Sequence, residues 1–227
     1  WQTVWLENVP ENYIRCLNIE NRGASVTIDV GDAVLCGKVT VDGLGEFALA
    51  AGKVTIAPEN PRMWSPEDPY LYEMTVEAGE DTVYSYFALR NLEIKAVSGV
   101  PRLCLNGRPY FFHGLLDQGY WSDGLFTPAA PECYADDILA MKKLGFNMLR
   151  KHIKVEPERF YYDCDRLGMV VFQDMVNNGD YGYLRDTVLP TVGVQKTRDK
   201  NMHKDEATRR QFLATMEETV AQLRNHP

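Results

Sequence analysis

Several residues able to do chemistry stand at or just beyond the ends of short apolar runs. Arg150 and His152 close the run Asn147-Met-Leu-Arg-Lys-His152, and Asp174 closes Met169-Val-Val-Phe-Gln-Asp174. A guanidinium can donate two parallel hydrogen bonds to one carboxylate and keep it ionised, so Arg150 and Asp174 are a candidate pair. The bland alternative for Arg150 is a structural ion pair. Side chains two apart on a strand share a face, which predicts Arg150, His152 and Lys154 on one side. Asp117 and Gln118 follow a third apolar run, Tyr110 to Leu116, and Trp121 sits in the polar stretch Asp117-Gln-Gly-Tyr-Trp-Ser-Asp123. An aromatic there either offers its face to a ligand or pins the loop to the core. Glu217 and Glu218 are adjacent on a helical stretch, where neighbouring side chains diverge, so solvation is expected rather than joint catalysis.

The elements that position these residues change period part-way along the chain. From about Tyr13 to Lys95, short alternating runs are separated by turns: Val26, Ile28 and Val30 before Gly31-Asp32, and Tyr72, Met74 and Val76 before Gly79-Glu80-Asp81. This pattern predicts an antiparallel β-sandwich. Asp42-Gly43-Leu44-Gly45 opens no helix and reads as a turn. After Val97 strands and helices alternate. Tyr110–Leu116 is expected to be a buried strand; Pro131–Leu144 is a helix with Tyr134, Ile138 and Met141 on one stripe and Gly145 as its stop. Asn147–His152 is a second strand. A helix opened by Pro157 carries Phe160, Cys164 and Leu167, ends at Gly168, and leads to Met169–Asp174. After a polar segment, 177–204, of a length that suggests either a site loop or lid or a stretch disordered in isolation, comes a long helix with Phe212, Leu213, Met216, Val220 and Leu223 on one face. Consecutive βα units imply parallel strands, in either a doubly wound sheet or a (β/α)8 barrel. Three such strands leave an open edge, which predicts a piece of something longer.

Composition excludes some classes. In 227 residues, 24 basic against 32 acidic side chains give a net charge of -8, which argues against nucleic acid or an acidic membrane as partner. No apolar run approaches a membrane span. The five cysteines, Cys16, Cys36, Cys104, Cys133 and Cys164, show no CxxC pair, so neither a disulfide framework nor a metal site is expected, and buried free thiols are. The odd cysteine count and the absence of Asn-x-Ser/Thr favour a bacterial cytoplasmic protein.

A family resemblance spans most of the chain in a consistent order. Trp1-Gln-Thr-Val-Trp-Leu-Glu7, Met63-Trp-Ser-Pro-Glu-Asp-Pro-Tyr-Leu-Tyr72, Phe87-Ala-Leu-Arg90, Leu105-Asn-Gly-Arg-Pro-Tyr-Phe-Phe-His-Gly114, Lys143-Leu-Gly-Phe-Asn-Met-Leu-Arg150, Asp165-Arg-Leu-Gly-Met-Val-Val-Phe-Gln-Asp174 and Arg224-Asn-His-Pro227 resemble segments of glycoside hydrolase family 2, the β-galactosidase, β-glucuronidase and β-mannosidase group. The resemblance implies the tail of a jelly-roll sugar-binding domain over residues 1–10, an immunoglobulin-like β-sandwich over 11–96, and the first three βα units of a (β/α)8 TIM barrel over 97–227. It further implies a retaining, exo-acting β-glycosidase that uses a carbohydrate substrate and no cofactor, with a homo-oligomer left open.

By that resemblance, Arg150 matches an arginine supporting the active-site carboxylates. His152 matches the sugar-contacting histidine in type, although counting from Arg150 places that histidine on Ile153. Asp174 falls where many members carry Asp-Glu; Asp117 and Gln118 fall where familiar members carry Asn-Arg-His-Glu; and Trp121 could stack on a sugar ring. These residues, Arg150, Asp174, Asp117, His152 and Trp121, are the expected substrate-binding set. Both catalytic glutamates of the family are expected beyond residue 227, which would leave the piece itself inactive. The rival reading is a non-catalytic carbohydrate-binding or interaction module built on the sandwich.

Overall fold

The computed structural model describes residues 4, 6–31, 36–176, 182–194 and 205–227. Residues 1–3 and 5 of the expected jelly-roll tail, Asp32 of the expected turn and most of the 177–204 segment lie outside the described residues.

The first part is all β. Strands β1 (Asn18–Asn21), β2 (Val26–Asp29), β3 (Gly37–Val41), β4 (Gly45–Leu49), β5 (Lys53–Ile56), β6 (Tyr72–Ala78) and β7 (Asp81–Phe87) form two antiparallel sheets, ordered β1-β2-β5 and β4-β3-β6-β7. The alternation expected of them is realised. Val26, Ile28 and Ile56 from one sheet meet Val39, Tyr72, Met74, Val76 and Phe87 from the other in a single buried cluster, as the inner faces of packed sheets must. The two short turns at Asp42–Leu44 and Gly79–Glu80 fall where expected.

The change of period at Val97 falls on a hairpin that the apolar pattern did not announce. Strands β8 (Leu92–Val97) and β9 (Val100–Leu105) pair antiparallel around Ser98 and Gly99, whose φ values of +52° and +78° suit a tight turn between right-twisted strands. A two-residue strand, β10 (Arg108–Pro109), pairs with the end of β9.

Next comes a parallel sheet, β11 (Gly114–Asp117), β12 (Met148–Lys151) and β13 (Val170–Gln173), joined by helices α1 (Glu132–Lys143) and α2 (Glu158–Leu167). Tyr134 and Ile138 of α1, Phe160, Tyr161 and Cys164 of α2, and Leu149 of β12 form a second buried cluster. Both helical stripes thus do what their period requires. A short turn of helix at Leu184–Val188 leads into α3 (Leu189–Thr191), and α4 (Glu206–Leu223) begins with the Asp205 carboxylate accepting from the Thr208 amide.

Three expectations need correction. Tyr110–Leu116 is not one buried strand: pairing in the sheet starts at Gly114, and Leu115 and Leu116 are 36% and 54% exposed. The Asn147 side chain takes over the preceding backbone, accepting from the His113 amide and donating to the Phe111 carbonyl. The apolar face of α4 is only partly covered: Phe212, Met216 and Leu223 are half-buried while Leu213 and Val220 are exposed, and contacts to the rest of the chain are made near the carboxyl end through Leu223, Gln222 and Asn225. Of the cysteines, Cys104 and Cys164 are buried, but Cys16 and Cys36 are exposed.

Candidate functional site

The parallel sheet has two unlike faces. Leu115, Leu149 and Val171 form one row and Asp117, Lys151 and Gln173 another, both directed to the helices; Leu116, Arg150 and Phe172 form the intervening row on the opposite face. Arg150 therefore stands on the face that carries no helix among the described residues. Its Nε donates to Asp174 Oδ1 at 3.0 Å and its terminal nitrogen to Oδ2 at 3.1 Å, a bidentate pair across neighbouring strand ends. The Asp174 carboxylate raises the guanidinium's affinity for its proton. With 56% of the Arg150 side chain exposed, the pair presents a fixed charge and donor array to solvent.

On the helix side the same strand ends hold a dense charge cluster. Lys151 Nζ, 1% exposed, donates to Asp117 Oδ2 at 2.6 Å and Glu156 Oε1 at 2.9 Å. Glu156 is fully buried; its Oε2 lies 3.0 Å from Lys154 Nζ and accepts from the Tyr134 hydroxyl. Lys154 also donates to the carbonyl oxygens of Gly119 and Phe126. Each cation has a carboxylate and each carboxylate a cation, the condition under which buried charge is tolerable. Gln173 ties this cluster to the opposite face: it accepts from Tyr161 Oη at 2.7 Å and donates to the carbonyls of Lys154 and Asp174.

A third cluster joins α2 to the chain after α4. His226 donates Nδ1–H to Asp165 at 2.6 Å and Nε2–H to Glu158 at 3.0 Å. Burial alone pulls this imidazole down, but the two carboxylates outweigh it and push it up to about 9. The Tyr86 hydroxyl donates to the same Asp165 oxygen.

Residues 14–90 match the family described as Glycosyl hydrolases family 2. The chain carries a family 2 glycosyl hydrolase segment. A β-galactosidase of Aeromonas hydrophila subsp. hydrophila is 32% identical over 174 residues, covering 74% of this chain and 15% of the relative. A β-galactosidase of Pseudoalteromonas haloplanktis is 27% identical over 124 residues, covering 53% and 12%. This chain thus spans well under two thirds of either relative. The Ruminococcus gnavus β-glucuronidase in complex with uronic isofagomine superposes with a TM-score of 0.72 over 96% of this chain and 38% of that one; at 17% identity this likeness is one of fold.

The expected site residues lie beyond the matched residues 14–90, and they do not converge on one point. Arg150 and Asp174 are brought together. Asp117 is on the other face, bonded to Lys151 and capping the Gly119 amide. His152 follows the strand end, and its amide donates to the Asp117 carbonyl. Trp121 is half-buried, edge-on to Tyr134 with centroids 5.5 Å apart, and its buried Nε1 has no partner among the described residues. This is the loop-pinning geometry. Lys154 does not share the face of Arg150: Ile153 adopts φ +66°, which breaks the alternation and turns Lys154 into the buried cluster. Glu217 and Glu218 are exposed, as expected. Sequence reasoning missed Lys151 and Glu156. The only signal available was two lysines and a glutamate within six residues, a spacing that reads equally well as a solvated turn.

Proposed function

We propose that this segment belongs to a retaining, exo-acting β-glycosidase and forms part of its active-site wall. The observation that carries the reading is the bidentate Arg150–Asp174 pair at the carboxyl ends of consecutive parallel strands, within a chain that matches family 2. In a (β/α)8 barrel the substrate lies at those ends, and the helix-free face with Leu116, Arg150 and Phe172 would be the barrel's interior. Double displacement needs two carboxyls about 5 to 5.5 Å apart, one attacking the anomeric carbon and one passing the proton. On this reading both come from residues outside this sequence, while Arg150 and Asp174 supply fixed hydrogen-bonding groups for the sugar or for those carboxylates. The β-galactosidase relatives and the uronic isofagomine complex of the fold neighbour make neutral and uronic β-glycosides the substrates to try. The test is to assay the complete gene product on chromogenic β-galactoside, β-glucuronide and β-mannoside. Turnover of one of them is expected, and turnover of none rejects the proposal.

A further inference from the structure

A pocket of about 480 Å³ opens at the carboxyl edge of the parallel sheet. All three strands feed it from the residues after their last paired positions: Gln118, Tyr120 and Phe126 after β11, His152 and Ile153 after β12, and Val176 after β13. The outer edge of parallel strands is where ligands are held in such sheets. A larger cleft of about 790 Å³ runs along β1, away from these strand ends; within it Arg22 pairs with Glu20 and Lys53 with Asp29.

Two aromatic rings in the pocket are both exposed and held from behind. Tyr120 is 70% and Phe126 39% exposed, and they meet edge-to-face with centroids 6.4 Å apart. Exposed aromatics on a free loop would lose much of any binding energy to ordering. Here Lys154, 7% exposed, grips the carbonyls of Gly119 and Phe126, and its ammonium lies 4.4 Å from the Phe126 centroid. Trp121 and Leu125 exchange backbone hydrogen bonds of 2.8 and 2.9 Å that close the loop. Gly119 is pressed so tightly onto the charge cluster that a Cβ there would stand 2.0 Å from Glu156 Oε1. The loop is thus seated on a buried floor.

The lining selects the chemistry of the guest. Ile153, Val155 and Val176 extend the aromatic surface, and Lys154 has its ammonium engaged elsewhere, which leaves Gln118, His152 and the Tyr120 hydroxyl as the polar groups of the pocket among the described residues. A hydroxyl-rich ring would lose most of its hydrogen bonds on entering, whereas an apolar ring would lose none. We propose that this pocket binds an apolar ring, which, if the glycosidase reading above holds, is the aglycone of the substrate.

The test is a backbone-amide NMR titration of the full chain with anisole and, separately, with methyl β-glucopyranoside. Amides of residues 118–126 and 152–155 are expected to shift with anisole and not with the glucoside. Tyr120→Ala and Phe126→Ala, both at exposed positions, should each weaken anisole binding about threefold to tenfold. Absence of shifts with anisole, equal shifts with the glucoside, or unchanged affinity in both variants would overturn the proposal. In the complete gene product, Tyr120→Ala should lower the ratio of kcat/KM for phenyl over methyl glycosides, and an unchanged ratio would remove the aglycone role. If the complete protein cleaves no glycoside, the glycosidase reading fails, and the titration still decides the pocket by itself.

Discussion

Arg150 and Lys151 are neighbours in sequence and opposites in environment, one half in solvent and the other sealed against the helices. Their consequences differ accordingly. Arg150→Lys keeps the charge and loses the two-pronged geometry, so the thermal midpoint should stay where it is while kcat/KM of the complete protein falls about tenfold or more. A fall in midpoint with unchanged kinetics would make the pair structural only. Glu156→Gln should cost about 3–5 kcal/mol in urea denaturation, because buried Lys154 would then lose its carboxylate and buried Lys151 would keep Asp117 alone. Asp117→Asn should cost less, since that carboxylate is 21% exposed and water can replace part of what is lost. Arg150 and Asp174 were legible from residue type and place at strand ends. Glu156 was not, because its partners depend on the chain reversing its alternation at Ile153.

At the level of elements, helices α1, α2 and α4 and strands β2, β6, β12 and β13 followed from hydrophobic period, and the stops of α1 and α2 from Gly145 and Gly168. The β8–β9 hairpin did not, since its side chains are mostly exposed and leave little apolar pattern to read. Helix α2 carries a pH-dependent link. The His226 imidazole moves from an ordinary value of 6.5 to about 9 in the folded chain, so its ion pairs with Asp165 and Glu158 contribute fully below about 6.5 and are lost as pH rises through about 9. The stability gap between the wild-type chain and His226→Gln, followed by denaturation across this range, should therefore close toward alkaline pH. A gap that stays constant would mean that the histidine acts through packing alone.

At the scale of the molecule, the sandwich and the parallel unit are latched by a few specific bonds. Trp64 Nε1 donates to the Asp165 carbonyl at 2.8 Å, and Lys142 Nζ binds the carbonyls of Pro66, Leu167 and Gly168. Asn225 both accepts from the Ile19 amide and donates to the Leu17 carbonyl. The segments 63–72, 165–174 and 224–227, read in sequence as separate signatures, thus form one joint. Gly168 sits at its centre with φ +74°, and a Cβ there would lie 2.5 Å from the Pro66 carbonyl oxygen. Gly168→Ala should cost about 1–3 kcal/mol and broaden or split the calorimetric transition as the two parts uncouple. A single sharp transition at the wild-type midpoint would show that the latch carries no weight.

The sequence by itself determined the family resemblance, the order of a β part before a βα part, the two amphipathic helices and the residues at the strand ends. These follow from local period, turn chemistry and motif, which act over a few residues. Only the tertiary structure decided that Arg150 grips Asp174 from 24 residues away while Asp117 is claimed by Lys151, that Trp121 pins its loop, and that Tyr120 and Phe126 line a seated pocket. A buried charge selects its partner by proximity in space and by the cost of leaving it unpaired, and neither quantity is written in the spacing of residues along the chain.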